Sequence, residues 1–165
     1  MIDAKCSPVD AEIPLPLAPD AEAFSLRLGQ QGLPGALAFL NARTPHRFTG
    51  VFRFDGETLR SVALVDSWDR SVGQGEDIPL AQAYCAVLHD TGEPLEVLDS
   101  RTDGRYPGMA DSPVVSCCGV LIRDPDGQPW GALCHYDLKP CQTKSSDMPL
   151  LAAAAGLLYP HAAGN

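Results

Sequence analysis

The densest group of potentially reactive side chains lies in SCCGVLIRDPDGQPWGALCHYD, residues 116–137, which contains Cys117, Cys118, Cys134 and His135. Thiolates are nucleophiles, and thiolates and imidazoles are ligands of soft metal ions. The segment could therefore form a metal centre or a nucleophilic site, or it could be two strands of a packed sheet that are rich in sulfur. The sequence contains no C-x-x-C pair, which argues against zinc-ribbon and thioredoxin-like sites.

The turn in the middle of this segment predicts which side chains meet. DPDG at residues 124–127 suits a type I turn with its glycine in the left-handed conformation and a three-residue loop. In that register Cys118 lies opposite Cys134 and Cys117 opposite His135, whereas a two-residue loop would place Cys118 opposite His135. Adjacent strand residues point to opposite faces, so in neither register do all four converge on one metal ion. We expect no metal site here, because buried thiols usually pack as small apolar groups.

Size and charge restrict the class of protein. A chain of 165 residues with 45% hydrophobic and 20% charged residues can form one globular domain with its own core. The net charge of −9 argues against a nucleic-acid partner, because phosphate binding needs a basic surface. No apolar run reaches the ~20 residues that span a bilayer, and the N-terminus lacks the pattern of a secretory signal. We therefore expect a cytoplasmic protein with reduced cysteines and no membrane partner.

The spacing of apolar residues predicts the order helix, hairpin, helix, strand, hairpin and helix, which is typical of an α+β fold with an antiparallel sheet covered on both faces. Residues 1–19 are expected to be an extended, proline-containing segment, residues 20–160 a single domain and residues 161–165 a tail. The predicted elements are two helices between Asp20 and Asn41 separated at residues 32–35, a hairpin over 48–65, a loop over 66–77, a helix from Pro79 to Gly92, a strand at Pro94–Leu98, the hairpin of 116–137 and a helix in DMPLLAAAAGLLYP.

Three blocks of the sequence resemble successive blocks of bacterial GAF domains, over about residues 30–160. These blocks are NARTPHRFTGVFRFDG, YCAVLHDTG and SCCGVLIRDPDGQPWGALCHYD, and the chain departs from the family where Cys117 replaces an expected aromatic residue. The resemblance implies a PAS-like, six-stranded antiparallel sheet with the terminal helices on one face. It also implies a ligand cavity on the other face, under a helix and loops. GAF domains are regulatory, bind cyclic nucleotides, bilins, haem or other small metabolites, and often dimerise through their terminal helices.

The resemblance implies a cavity lined by the helix from Leu80 to His89, the loop from Asp99 to Asp111 and one face of the sheet. No particular ligand or cofactor, and no catalytic residue, is assigned by these motifs. The candidate ligand-binding residues are Arg53, Tyr84, Cys85, His89, Arg105, Tyr106, Ser116, Cys118 and Cys134.

Two groups of these candidates have competing interpretations. Cys85 and His89 are four residues apart on a helix, so they could make a soft-metal or redox contact. Alternatively, Cys85 packs on the sheet and His89 lies at the helix end, where a cation is favoured. Arg101 and Arg105 flank Asp103, and they could bind an anionic ligand or form ion pairs that order the loop.

The expected function is that of a sensory domain that binds a small molecule and relays binding to a separate signalling partner. The C-terminal helix MPLLAAAAGLLY is apolar almost all round, which predicts a contact surface and a homodimer. One alternative is a thiol-dependent reductase, similar to GAF domains that reduce free methionine sulfoxide. Another is an interaction scaffold whose cavity is filled by side chains. A regulatory role is favoured over an enzymatic one, because the cysteines fall on predicted strands and a helix and not on the loops such reductases use.

Overall fold

The structure, a computed structural model, describes residues 18–142 and 147–164 and contains the predicted elements in the predicted order, with one additional short strand. The predicted extended segment over residues 1–19 lies, apart from its last two residues, outside the described residues. Within the described ranges, no helix is long and apolar enough to cross a membrane. The elements are helices α1 (Pro19–Asn41), α2 (Cys85–Thr91) and α3 (Met148–Ala162), strands β1 (Phe48–Asp55), β2 (Thr58–Asp66), β3 (Ile78–Pro79), β4 (Leu95–Val97), β5 (Ser116–Arg123) and β6 (Pro129–Asp137), and 3-10 helices at Leu80–Gln82 and Pro107–Met109.

The six strands form one antiparallel sheet in the order β3-β2-β1-β6-β5-β4. Helices α1 and α3 cover one face, where their apolar residues pack against side chains such as Val51, Val120 and Leu133. A second apolar cluster, which includes α2, lies on the other face. The predicted α+β architecture, a six-stranded antiparallel sheet with the terminal helices on one face, is confirmed.

Helix α1 is interrupted where the sequence predicts a break. Gly32 has a φ of 70° and a ψ of −166°, so the helix is kinked there and resumes before Pro34. A left-handed φ of this kind costs glycine little, because it has no Cβ. On both sides of the kink one apolar stripe, which includes Phe24, Leu28 and Leu37, is buried against the sheet and α3.

The helix predicted to begin at Pro79 begins instead at Cys85, and this prediction is wrong. Ile78 and Pro79 form the edge strand β3 opposite Leu59 and Thr58, and a 3-10 turn follows. Ala83 is extended, with a φ of −119° and a ψ of 146°, which separates that turn from α2. The C-terminal end agrees with the prediction, because Gly92 adopts a φ of 72°.

The β5–β6 loop forms as predicted: the Asp124 N–H donates to the Gln128 carbonyl oxygen at 2.9 Å, and Gly127 has a φ of 83°. The register beyond the loop differs from the prediction. Arg123 pairs with Pro129 but Ile122 pairs with Gly131, so Trp130 is one extra residue in β6. Such a bulge shifts every later pair by one position.

The predicted pairs Cys118 with Cys134 and Cys117 with His135 are therefore wrong. Cys118 lies opposite His135 on the face covered by α1 and α3. Cys117 and Cys134 share the opposite face, with α2 and the cavity described below.

A buried polar network joins the end of α1 to the centre of the sheet. Asn41 donates through Nδ2 to Thr49 Oγ1 at 3.0 Å, and Thr49 Oγ1 lies 2.7 Å from Nδ1 of His135. The ring of His46 stacks on that of His135 at a centroid distance of 5.9 Å. Burial, together with the proximity of His46, lowers the pKa of His135 to about 3, so this imidazole is neutral at pH 7.

Candidate functional site

A partly open cavity of about 940 Å³ lies on the face of the sheet opposite α1 and α3. The sheet forms its floor, α2 and the 3-10 turn before it form one wall, and segments 72–76 and 108–114 form the rim. This volume is in the range of sites for drug-sized molecules. The position agrees with the cavity expected under the middle helix and loops.

Three thiols lie together on the cavity floor and wall. Cys85, the first residue of α2, places its Sγ 3.7 Å from Sγ of Cys134 on β6. Hydrogen bonds with Cys117 and Cys85, followed by burial, raise the pKa of the Cys134 thiol. All three thiols line the cavity and are buried. Within residues 18–142 and 147–164, no group of three or more metal-ligating side chains is arranged to hold a metal ion.

Glycines on both neighbouring strands give Cys134 its space. Gly50 on β1 and Gly119 on β5 are its cross-strand partners. A Cβ on Gly119 would lie 2.8 Å from Sγ of Cys134 and 3.1 Å from Cδ1 of Leu88. The missing side chain thus allows α2 to approach the sheet closely enough for Cys85 to meet Cys134.

Aromatic side chains supply much of the remaining lining. Phe52, Tyr84 and Tyr136 face the cavity. Burial raises the pKa of Tyr136, and burial also raises the pKa of Tyr84, so both hydroxyls stay neutral at physiological pH. Rings with neutral hydroxyl groups offer an apolar contact surface with a small number of hydrogen-bonding positions.

The only charged side chains in the described lining are acidic. Glu76 and Asp111 are exposed at the rim, where Gln74, Gln82 and Ser112 add neutral polar groups. No lysine, arginine or histidine contributes to the lining as the structure describes it. The cavity therefore has negative charge at its rim and no cationic group to neutralise an anion.

Of the nine candidate residues, Tyr84, Cys85 and Cys134 line this cavity and the other six lie outside its lining. The side chains of Cys118 and Ser116 point to the face of the sheet that α1 and α3 cover, because alternate residues of β5 share a face. Ser116 Oγ donates a hydrogen bond to the Lys139 carbonyl oxygen at 2.8 Å.

Arg53 points to the same face of the sheet as Val51, and one of its guanidinium nitrogens lies 3.8 Å from a carboxylate oxygen of Asp55. His89 is exposed near the end of α2 and contacts the edge of the Phe54 ring.

The loop candidates Arg105 and Tyr106 support the site from outside. Arg105 pairs with Asp103 at 2.7 Å and donates to the Glu96 carbonyl oxygen at 2.6 Å. The Tyr106 ring meets that of Tyr84 edge-on at 6.1 Å. The ion pair of one interpretation of this loop is therefore present, and the Tyr106 ring packs against a residue that lines the cavity.

The cavity also contains residues that were not singled out from the sequence. Cys117 was assigned to the other face, although its replacement of an expected aromatic residue was a signal that it occupies a lining position. Met109 and Asp111 lie in the loop expected to line the cavity but are not among the candidate residues. Glu76 lies in a loop without apolar periodicity, so nothing local indicates its direction.

Comparison with known proteins identifies the fold family. The sequence model of the GAF domain matches residues 28–158. No curated protein is similar enough in sequence to match the chain.

Solved structures with the same fold include the GAF domain of an Acinetobacter phosphoenolpyruvate-protein phosphotransferase (TM-score 0.69, 10% identity, covering 88% of this chain and 91% of that one). A second is a type II free methionine-R-sulfoxide reductase from Thermoplasma acidophilum (TM-score 0.60, 20% identity, covering 87% of this chain and 96% of that one). A third is a phycocyanobilin-bound GAF domain from a cyanobacterial phytochrome (TM-score 0.64, 12% identity, covering 88% of this chain and 93% of that one). At these identities the structures establish the fold alone, whereas the sequence match covers most of the chain. The chain therefore belongs to the GAF domain family.

Proposed function

We propose that this GAF domain binds a small organic molecule in the 940 Å³ cavity and relays binding to a separate signalling protein. The observation that carries the proposal is the cavity itself, built between the sheet and α2 and lined by aromatic, aliphatic and sulfur-containing side chains. In the scaffold alternative the cavity is filled by Tyr84, Leu88 and Trp68. Trp68 is 71% exposed and lies against Arg47, with 4.0 Å between Cζ and the ring centroid, so it does not fill the space.

The charge of the lining favours a neutral or cationic ligand. An anion would enter past Glu76 and Asp111 and would meet no cationic side chain in the lining as described. Burying an unpaired charge in such a site is costly, because the lost hydration is not replaced. Phosphate-containing and carboxylate-containing ligands are disfavoured on this ground, and an uncharged aromatic or aliphatic compound is favoured.

A thermal-shift screen with compounds of similar size in three charge classes tests this function. We expect neutral and cationic compounds to raise the melting temperature, because ligands that bind only the folded state stabilise it. Val114→Trp would fill part of the cavity, and Val87→Trp is a matched control, since both valines are half-buried but only Val114 lines the cavity. Stabilisation by anions alone, or equal responses in wild type and Val114→Trp, would contradict the proposal.

A second candidate function is a thiol-dependent reductase of a small oxidised metabolite. It is favoured by the three thiols that face the cavity and by the fold shared with a free methionine-R-sulfoxide reductase. The raised pKa of Cys134 opposes it, because the thiolate is the nucleophilic form. Formation of methionine from free methionine-R-sulfoxide with dithiothreitol as reductant, lost in Cys85→Ser, would establish this activity; no turnover would remove it.

We also propose that the outer faces of α1 and α3 form a homodimer contact. Leu26 of α1 is 60% exposed, and Ala152 is exposed on α3. Apolar and small residues on an outer helix face can pack closely against a second copy. Light scattering should then give twice the chain mass, and Leu26→Glu should lower it. A monomer at all concentrations would remove this part of the proposal.

A further inference from the structure

We propose that Cys85 and Cys134 form a peroxide-responsive dithiol, which closes to an intramolecular disulfide across the wall of the cavity. The disulfide would join the first residue of α2 to the central strand β6, which lie next to each other in the fold. The proposal does not require a bound ligand, so its failure and that of the ligand-binding function are distinguishable.

The positions of the sulfur atoms carry the proposal. Sγ of Cys85 and Sγ of Cys134 are 3.7 Å apart, in contact but unbonded. A disulfide requires about 2.05 Å between these atoms, so a small side-chain adjustment would bring them to bonding distance. Gly119 leaves room for Sγ of Cys134 at this position, because a side chain there would clash with that sulfur. Both thiols face the cavity, which a molecule as small as a peroxide can enter.

Cys117 is a neighbour of this pair but a poor bridging partner. Cys117 lies opposite Tyr136 and Cys134 lies opposite Gly119, so the two cysteines are diagonal neighbours across β5 and β6. Cα atoms of diagonal neighbours are about 7–8 Å apart, at or beyond the ~7 Å limit for a disulfide without backbone movement. Cys117 hydrogen-bonds Cys134 but is badly placed to form a disulfide with it. The disulfide partner of Cys134 in this proposal is therefore Cys85.

The chemistry balances with one peroxide per disulfide. The Cys85 sulfur attacks one peroxide oxygen, the O–O bond breaks, and the product is a Cys85 sulfenic acid and water. The Cys134 sulfur then attacks the Cys85 sulfur and displaces hydroxide, which takes the Cys134 proton and leaves as a second water. The two thiols lose two electrons and two protons, and the peroxide is reduced to water. Cys85 reacts first in this scheme, because the hydrogen bonds and burial of Cys134 raise its pKa and disfavour its thiolate.

The disulfide would change both the cavity and the stability of the fold. It would remove two thiols from the lining and fix Cys85, which follows the lining residue Tyr84 in the chain, to β6. It would link residues 49 positions apart, and such a cross-link restricts the unfolded chain. The oxidised protein should therefore melt at a higher temperature than the reduced protein.

The test uses hydrogen peroxide on the full chain with Cys6→Ser and Cys141→Ser, which leaves the four cysteines of the sheet and α2. After oxidation, free thiols are alkylated in denaturant and the protein is digested with trypsin. Cleavage at Arg101 and Arg123 puts Cys85, the adjacent Cys117 and Cys118, and Cys134 on separate peptides. The expected product is a cross-linked pair of the Cys85 and Cys134 peptides, with Cys117 and Cys118 alkylated.

The variants make the assignment specific. Cys85→Ser and Cys134→Ser should each abolish the cross-link and the rise in melting temperature, whereas Cys117→Ser should keep both. A disulfide to Cys117, or no disulfide under conditions that oxidise a free dithiol peptide, would overturn the proposal. Peptide mapping of the chain that carries only Cys6→Ser and Cys141→Ser identifies the cross-linked cysteines even if a further serine variant fails to fold. Formation of the same disulfide by free methionine sulfoxide would assign the dithiol to the reductase and overturn a peroxide-specific role.

Discussion

The buried imidazole of His135 makes the stability of this domain depend on pH in a direction that can be calculated. The side chain is fully buried, its Nδ1 contacts Thr49, and its Nε2 has no hydrogen-bond partner among the described residues. Its pKa is lowered to about 3 in the folded chain, against an ordinary value of 6.5. The unfolded chain therefore binds a proton at a pH where the folded chain does not. The stability that the neutral His135 imidazole contributes is present above its unfolded-state pKa of 6.5 and is lost as the pH falls from 6.5 towards 3.

The magnitude follows from the two pKa values. Each unit of difference corresponds to about 1.36 kcal/mol, so the maximum loss is about 5 kcal/mol. Between pH 7 and pH 5 the loss is about 2 kcal/mol, and by pH 4 it is about 3 kcal/mol. Burial also lowers the pKa of His46, which stacks on His135, and its contribution has the same sign.

The assay is urea unfolding of wild type, His135→Asn and the control His89→Asn at several pH values from 7 to 4. His89 is exposed, so its variant should lose stability with acid as wild type does. Between pH 7 and pH 5, the free energy of unfolding should fall by about 2 kcal/mol less in His135→Asn than in wild type. Parallel stability-against-pH curves for wild type and His135→Asn would show that His135 is not the source of the acid sensitivity. Imidazole titration by NMR in wild type provides a second check, since His135 should not titrate between pH 8 and pH 5.

Three further predictions test the packing and the thiols. Gly131→Ala should destabilise the fold by about 1–3 kcal/mol, because its Cβ would clash with the carbonyl oxygen of Phe52 on β1. Gly156→Ala, in open space on α3, should stabilise the fold by about 0.5–1 kcal/mol. Equal urea midpoints for the two variants would contradict this. Arg47→Ala should lower the urea midpoint, because it leaves the buried carboxylate of Asp66 without its paired guanidinium. An unchanged midpoint would show that the pair contributes nothing to stability. Iodoacetamide should alkylate Cys134 more slowly than a free cysteine at pH 8, because the pKa of Cys134 is raised and less of it is thiolate. The rate should increase towards pH 10. Labelling at pH 8 as fast as that of a free cysteine would contradict the raised pKa.

The elements of the fold were predictable because local patterns specify them. The apolar stripe of α1, the break at Gly32 and the DPDG turn each have a chemical cause within a few residues. The errors came from contacts between distant parts of the chain. Pro79 fits a helix start by its own chemistry, but pairing with β2 makes it an edge strand.

The site was only partly predictable for the same reason. The turn chemistry was right, yet the bulge at Trp130 moved Cys117 to the cavity and His135 away from it. The close approach of β1 to Gly131 accompanies that bulge. The glycine inside the strand is the one local signal of it, because such glycines mark bulges or close backbone approaches. Tyr84 and Cys85 were found because the resemblance to GAF domains implies a cavity lined by the segment from Leu80 to His89. The rim residue Glu76 was missed because its direction depends on the conformation of the loop that precedes β3.

Ligand binding in the cavity can be measured by native mass spectrometry of the purified chain after equilibration with a cell extract of small molecules. We expect one retained compound per chain, neutral or cationic and without phosphate, that is lost in Val114→Trp and kept in Val87→Trp. Retention of no compound, or of an organic anion held equally by both variants, would show that the cavity does not bind the proposed class of ligand.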